Sequence, residues 1–394
     1  MRGVAMDAVQ RPRLRTIVWS CVFVVMVAAC GGGGGGSSAG GGDGGCPEGG
    51  VTIAFFGSLT GVTSPQLGIN IRNGATLAID EYNAAAPACG VKLVEFDSQG
   101  DPAQAPALAQ KAVGDPRVVA IVGPAFSGES KAANPIFDEA GLPIVTPSAT
   151  NPALAQNGWS IFHRAVGNDN AQGPAAAKYI TDTLKAANVA VIDDKSEYGK
   201  GIADIVRQRL GGAVSFNDSI DAAAQDYSST VNGVRNAGVD VIFYGGYYQE
   251  GGRLLKQLRD SGVQAMFVSD DGAKDEQLIS VAGRSAAEGA YLTCPCAPIE
   301  QVKNGTEFRD AYRKAFNAEP GTYSTEGYDS ANVILEAIKS GKVDRTSINE
   351  FLDSVDYAGI TKQIKFDQLG EVSDQRVFMY QIKDGVITSV GLIE

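Results

Sequence analysis

The sequence predicts an α/β fold of two doubly wound, Rossmann-like lobes joined by a multi-strand hinge. From Val51 onward, short apolar runs alternate with segments of helical period, the pattern of parallel strands with crossover helices. After Asn168 a second such series begins. Two successive βα arrays of about six strands suggest two lobes rather than one continuous sheet. The tail beyond Cys296 offers helical faces and then strands that need existing sheets to join. The chain is therefore expected to recross between the lobes.

Taken in order, residues 51–56 read as a strand, followed by Ala75, Ala78, Ile79 and Tyr82 at helical spacing. Residues 91–96 are the second strand, and Asp101-Pro102 supplies a cap with proline at the first helical position. Residues 118–122 and 143–146 are buried-strand runs. Ser127 follows the first, and Ser148, Ala149 and Thr150 follow the second. Ligands of open α/β sheets bind beyond the carboxyl ends of strands. Hydroxyls and N–H groups with no base beside them suit holding a carboxylate. The competing reading makes Ser127 and Thr150 plain helix caps. Asn134-Pro135 falls inside the intervening helix, where the lost hydrogen bond predicts an irregular first turn.

In the second series, residues 174–187 form a helix with Tyr179, Ile180, Thr183 and Leu184 on one face. Strands at 189–192, 239–244 and 264–268 run into Asp194–Tyr198, Gly246-Tyr247 and Asp270-Asp271-Gly272 respectively, and 288–293 closes the series. Ile202, Ile205, Val206 and Leu210, then Leu254, Leu255 and Leu258, mark the helices between. In the tail, Phe308, Tyr312, Ala315 and Phe316, then Tyr328, Ala331, Leu335 and Ile338, are helical faces. Strands are expected at 361–366, 376–383 and 386–393, the last two joined by Asp384-Gly385, a type I′ turn signal.

Composition narrows the function. The chain of 394 residues carries a net charge of −12, and removing residues 1–29, with four arginines and one aspartate, leaves −15. That balance disfavours nucleic acid and anionic membrane surfaces. Its single histidine, His163, has no activated nucleophile nearby, so Ser–His and Cys–His chemistry is not expected. A structural histidine at a strand end is the reading, with no catalytic residue, metal or cofactor. Cys46 and Cys89 lie just before neighbouring parallel strands and are expected to pair. Cys294 and Cys296 are read as a disulfide or free thiols rather than a metal pair.

The first 29 residues look like an export signal, with Arg2, Arg11, Arg13 and Arg15 ahead of an apolar run too short to span a bilayer. Val27-Ala28-Ala29-Cys30 resembles the lipobox of bacterial lipoproteins, which implies a lipid on Cys30; an ordinary signal peptide cut nearby is the alternative. The Gly/Ser run to Gly45 is a tether, reaching roughly 20 Å by random-coil scaling.

Several stretches in the same order then resemble one family. These are Ser148-Ala149-Thr150-Asn151-Pro152, Gln172-Gly173-Pro174-Ala175-Ala176-Ala177-Lys178-Tyr179, Asp194-Lys195-Ser196-Glu197-Tyr198-Gly199 and Tyr244-Gly245-Gly246-Tyr247-Tyr248. They are similar to the type I periplasmic solute-binding proteins, in the leucine/isoleucine/valine-binding branch of ABC transport systems, over nearly all of Val51 to Glu394. The resemblance implies that Ser127 and Thr150, with Ala125, Ser148 and Ala149 nearby, hold a ligand carboxylate. Asp271, before Gly272, takes the α-ammonium, with Asp270 as the alternative. Tyr198 and Tyr247 close over the ligand, and Leu67, Phe126 and Tyr323 line the side-chain pocket. Two departures fall on that pocket. Pro65-Gln66-Leu67-Gly68 stands where a large aromatic is common, and Phe126 where a smaller residue, often a disulfide cysteine, is common.

The implied organisation is a signal (1–29), a lipidated cysteine and tether (30–50), a first lobe (51–168 plus 296–374) and a second (169–295 plus 375–394). The implied protein is a monomeric, lipid-anchored receptor in the periplasm or cell envelope. It would deliver an apolar amino acid to an ABC permease in the inner membrane. A ligand-sensing subunit on the same fold, binding an amino acid, amide or small carboxylate, is the alternative.

Overall fold

The computed structural model describes residues 45–61 and 63–394. The expected leader, the lipid site Cys30 and the tether up to residue 44 lie outside the described residues. At its start, Cys46 is joined to Cys89 with a Cα–Cα distance of 5.3 Å, so residues 46–50 are tied to the first strand pair.

The first sheet is parallel and holds β1 (Val51–Gly57), β2 (Val91–Asp97), β3 (Val118–Val122), β4 (Ile144–Thr146) and β5 (Phe162–Arg164). Its order is β2-β1-β3-β4-β5. β1 and β3 are buried along their whole length, as strands covered on both faces must be. The helices between are α1 (Pro65–Ala84), α2 (Ala105–Gly114) and α3 (Ser127–Glu139).

The second series runs α4 (Asp169–Lys178), β6 (Val189–Asp193), α5 (Glu197–Leu210), β7 (Val214–Ser219), α6 (Ser228–Ala237), β8 (Val241–Gly245), α7 (Tyr248–Asp260) and β9 (Met266–Ser269). Then come α8 (Glu276–Ala282), α9 (Arg284–Ala287) and β10 (Tyr291–Cys294). The tail adds α10 (Gly305–Phe316), α11 (Ser324–Lys339), α12 (Arg345–Ser354), β11 (Tyr357–Ala358), β12 (Gln363–Ile364), β13 (Phe378–Lys383) and β14 (Val386–Leu392). The second sheet has the order β14-β13-β10-β9-β8-β6-β7. It is parallel from β7 to β10, with β13 and β14 added antiparallel. The turn between those two has Asp384 and Gly385 at φ of 52° and 70°, as a type I′ hairpin requires.

α11 packs along α1 and against β3 and β4, and α12 packs on β3. The tail helices thus belong with the first sheet and the final hairpin with the second. The chain passes between sheets after β5, after β10 and before β13. Cys294 and Cys296 form a disulfide at the second passage, with Cα atoms 5.0 Å apart. In each sheet the strand order reverses beside its first strand, between β1 and β3 and between β6 and β8. Such switch points open a crevice at the carboxyl ends of the strands.

Four local expectations are corrected. Pro135 does not disturb the first turn of its helix; α3 starts at Ser127 and runs through Pro135 to Glu139. Its start is set by the buried Glu129 side chain, which accepts the Phe126 N–H at 3.2 Å. α4 begins at Asp169, five residues earlier than expected, because Asn168 caps it by accepting the Asn170 N–H. It then widens into a π-turn over Tyr179–Thr183. β7 has no counterpart among the expected strands; its half-buried alternation around Phe216 is too weak an apolar run to stand out. The strand expected at 361–366 shrinks to β12. Asp329 captures the Ile360 and Thr361 N–H groups at 2.9 and 2.8 Å, donors that a longer ladder would need. His163 lies within β5, buried, between Ile144 O at 3.2 Å and Asp353 at 3.1 Å.

Candidate functional site

On the first lobe, β3 and β4 end in two loops that are bound to each other. Thr146 Oγ1 donates to Pro124 O at 2.8 Å, and Ser148 Oγ to Ala125 O at 2.6 Å. The carbonyls of the second loop are also taken. Arg164, wholly buried, donates through Nη1 to Ala149 O at 2.6 Å and Asn151 O at 2.9 Å. Its Nε and Nη2 hold the Glu371 carboxylate, and Thr150 O accepts the Asp169 N–H at 3.0 Å. The Ala125, Phe126 and Ala149 N–H groups are also engaged, by Phe56 O, Glu129 and Thr146 Oγ1, which leaves the donors of Ser127 and Thr150. Ser127 opens α3, whose first-turn N–H groups have no intrahelical partner. Its Oγ accepts the Asn151 N–H at 3.3 Å, which leaves the hydroxyl proton to give. Thr150 Oγ1 is buried and unpartnered. This wall can receive an anion.

The second lobe presents the opposite character. Asp271, 2% exposed, accepts Tyr198 Oη and Tyr323 Oη, each at 2.7 Å. Tyr198 Oη in turn accepts the Gly272 N–H at 3.1 Å. No lysine, arginine or histidine among the described residues forms an ion pair with Asp271. Burial raises its pKa, against the two tyrosine hydrogen bonds that lower it. Asp270 beside it is fully buried, with Oδ2 on the Gly246 N–H at 3.0 Å and Oδ1 unpartnered. Gly272 is required by close approach, since a Cβ there would stand 2.6 Å from Tyr198 Cε1 and 2.7 Å from Gly246 O.

Between the walls lies a narrow cavity with room for about one water. Leu67, Ala125, Phe126, Ser127 and Ser148 line it from the first lobe. Tyr198, Tyr247, Asp271 and Gly272 line it from the second, and Tyr323 enters from the head of α11. Ala149 and Thr150 do not line this space themselves; both are buried and follow directly on Ser148. Tyr323 has φ of 67°, a left-handed conformation that costs a non-glycine residue on the order of 1–3 kcal/mol. That backbone carries its hydroxyl to Asp271. The lobes also touch directly, through Asn151 Nδ2 to Glu197 O at 2.8 Å, Lys131 to Glu197 at 2.9 Å and the Gln66 N–H to Tyr248 Oη at 3.2 Å.

One further group emerges only in three dimensions. Asp169, the first residue of α4, is completely buried; its nearest hydroxyl is that of Thr150, which comes close without completing a well-formed hydrogen bond. Burial and then the nearby Asp271 charge push its pKa well above the carboxylate range. In sequence it reads as an ordinary acidic residue in a first helical turn, and no local pattern separates it from one. The cleft thus sets hydrogen-bond donors against buried carboxylates that have no ion-pair partner among the described residues, which suits a small dipolar molecule carrying an anion at one end and a cation at the other.

Comparison with known proteins places this geometry in a family. Residues 50–386 match the family model described as periplasmic binding protein. The leucine-, isoleucine-, valine-, threonine- and alanine-binding protein of Pseudomonas aeruginosa is 33% identical, over 86% of this chain and 92% of its own length. The leucine-specific-binding protein of Salmonella typhimurium is 38% identical over 62% of this chain and 67% of its own. Among solved structures, the branched-chain amino acid transporter substrate-binding protein of Streptococcus pneumoniae, in complex with isoleucine, superposes with a TM-score of 0.81. It is 28% identical and covers 87% of this chain and 99% of its own. A leucine-binding protein of Thermotoga maritima gives a TM-score of 0.80 at 28% identity, with the same coverage. The chain belongs to the periplasmic binding protein family, whose members are solute-binding proteins of this two-lobed type I fold and not enzymes.

Proposed function

We propose that this protein is the extracytoplasmic solute-binding component of an ABC importer, closing its lobes on a free L-amino acid with an apolar side chain of the branched-chain class. The observation that carries this reading is Asp271, a buried carboxylate without a cationic partner, set across the cavity from donors. Ser127 and Thr150, with Ala125, Ser148 and Ala149 nearby, would hold the α-carboxylate. Asp271 beside Gly272 would hold the α-ammonium, and Tyr198 and Tyr247 would cover the ligand. A ligand gripped from both lobes favours the closed arrangement by its contacts there. The names of the relatives support the amino-acid class. The lobes would divide at 51–168 plus 296–374 and 169–295 plus 375–394.

A thermal-shift panel of the twenty amino acids with matching amides and carboxylates tests the reading. Apolar L-amino acids should raise the melting temperature in proportion to ln(1 + [L]/Kd). Their amides and deaminated acids should not. A panel without any amino-acid response rejects it.

The partner would be a permease in the inner membrane, and the anchor a lipid on Cys30. Cys30→Ala should move the protein from the membrane fraction to the soluble one; a variant that stays with the membrane rejects the anchor.

A further inference from the structure

The geometry points to Phe126 as the residue that limits ligand side-chain length, ranking valine, the shortest of the branched-chain class, above leucine, isoleucine and phenylalanine. This rests on the amino-acid reading above and narrows it. With the carboxylate at the first-lobe donors and the ammonium at Asp271, the side chain is left with Leu67, Phe126, Tyr247 and Tyr323. The Phe126 ring meets Tyr247 edge-on across the cleft, with centroids 5.0 Å apart and planes at 85°. Tyr247 in turn lies 5.3 Å from Tyr198. Within the closed cavity the centre of a water-sized sphere can move through only about 10 Å³, room for about one water. Any ligand must therefore make space, and what decides its size is which wall can yield.

Neither wall has slack behind it. The Phe126 N–H is held by Glu129, itself fully buried and bonded to Ser98. Behind that loop, a Cβ placed on Gly57 would come within 2.7 Å of Ala125 Cβ, so the loop already rests on β1. On the facing lobe, a Cβ on Gly272 would meet Tyr198 Cε1 at 2.6 Å and Tyr247 Cδ1 at 3.1 Å. The two tyrosines lie directly on backbone. Close-packed walls of this kind do not deform for an added methylene without loss. A longer side chain gains its space only by holding the lobes apart, at the expense of the Asn151–Glu197 and Tyr323–Asp271 contacts.

Calorimetric affinities for L-alanine, L-valine, L-leucine and L-phenylalanine test this on the mature protein and on its Phe126→Ala and Phe126→Leu variants. In the unmodified protein leucine should bind about tenfold or more weakly than valine, the discrimination that one methylene gives in a rigid pocket. Phe126→Ala should tighten leucine by about tenfold or more, and Phe126→Leu should move the ranking the same way by less. Leucine as tight as valine in the unmodified protein overturns the inference, as does a ranking that neither variant changes. Absence of any amino-acid binding strikes the amino-acid reading itself, whereas binding in the wrong order strikes only the role of Phe126.

Discussion

Asp271→Asn is expected to weaken amino-acid binding about 10²–10³-fold while leaving the ligand-free protein at least as stable as before. The first half follows from charge burial. A ligand ammonium carried into the closed cleft loses its water, and removing one member of a buried ion pair costs about 3–5 kcal/mol. At about 1.4 kcal/mol per tenfold, that loss exceeds two orders of magnitude. The second half follows from the ligand-free structure, in which Asp271 has two tyrosine hydroxyls and no ion-pair partner, only the more distant charge of the buried Lys274. Burial already raises its pKa, so an uncharged isostere relieves a cost instead of creating one. Tyr198 can still donate to the amide oxygen, and the Tyr323 hydroxyl can accept from the amide nitrogen that replaces Oδ2. Calorimetry with an apolar L-amino acid and a melt of the ligand-free variant read the two halves separately. Undiminished affinity would move the ammonium to Asp169 or Asp270, and a collapsed ligand-free fold would make Asp271 structural.

The parts of the site legible in sequence are those that follow directly from strand ends. Ser127, Ser148, Tyr198, Tyr247 and Asp271 each come within six residues of a buried apolar run, and the α/β pattern alone brings such positions to one crevice. What the sequence hides are long-range pairings. Arg164 and Glu371 are 207 residues apart, and neither looks unusual locally. Yet Arg164 engages the Ala149 and Asn151 carbonyls and so turns that loop into a donor surface. Asp169 is masked by its resemblance to an ordinary first-turn acid, and its character comes from burial beside Asp271. The short β12 is hidden for the same reason, since Asp329 reaches it from α11, a separate element. The leading fold signal is periodicity, which is local; the polar wiring of the cleft is set by contacts between elements, which periodicity does not encode.

The buried acids make the second large expectation one of pH. The ligand-free protein should be most stable near about pH 4–5 and lose several kcal/mol by about pH 8, taking one pKa unit as about 1.4 kcal/mol. Burial lifts Glu129 to about 8 and Glu250 to about 7. It also lifts Asp194, Asp275 and Asp329 to about 6, and Asp169 and Asp270 well above the ordinary range. A carboxyl whose folded pKa lies above its unfolded value binds more protons in the folded state between the two. Its contribution is therefore complete below the unfolded value and is lost as pH rises through the folded one. On the acid side the opposite groups take over. Asp97, Asp204, Asp240 and Asp374 have lowered pKa values, and their contribution is lost as pH falls below about 4. Ligand binding should run against the alkaline trend. An ammonium at Asp271 requires the ionised carboxylate, so the melting-temperature shift produced by an apolar amino acid should grow from about pH 5 to pH 8. Melts across that range with and without ligand read both slopes. A ligand-free stability that rises toward pH 8, or a ligand shift that shrinks, would mean that the buried acids are compensated by charges absent from this cleft.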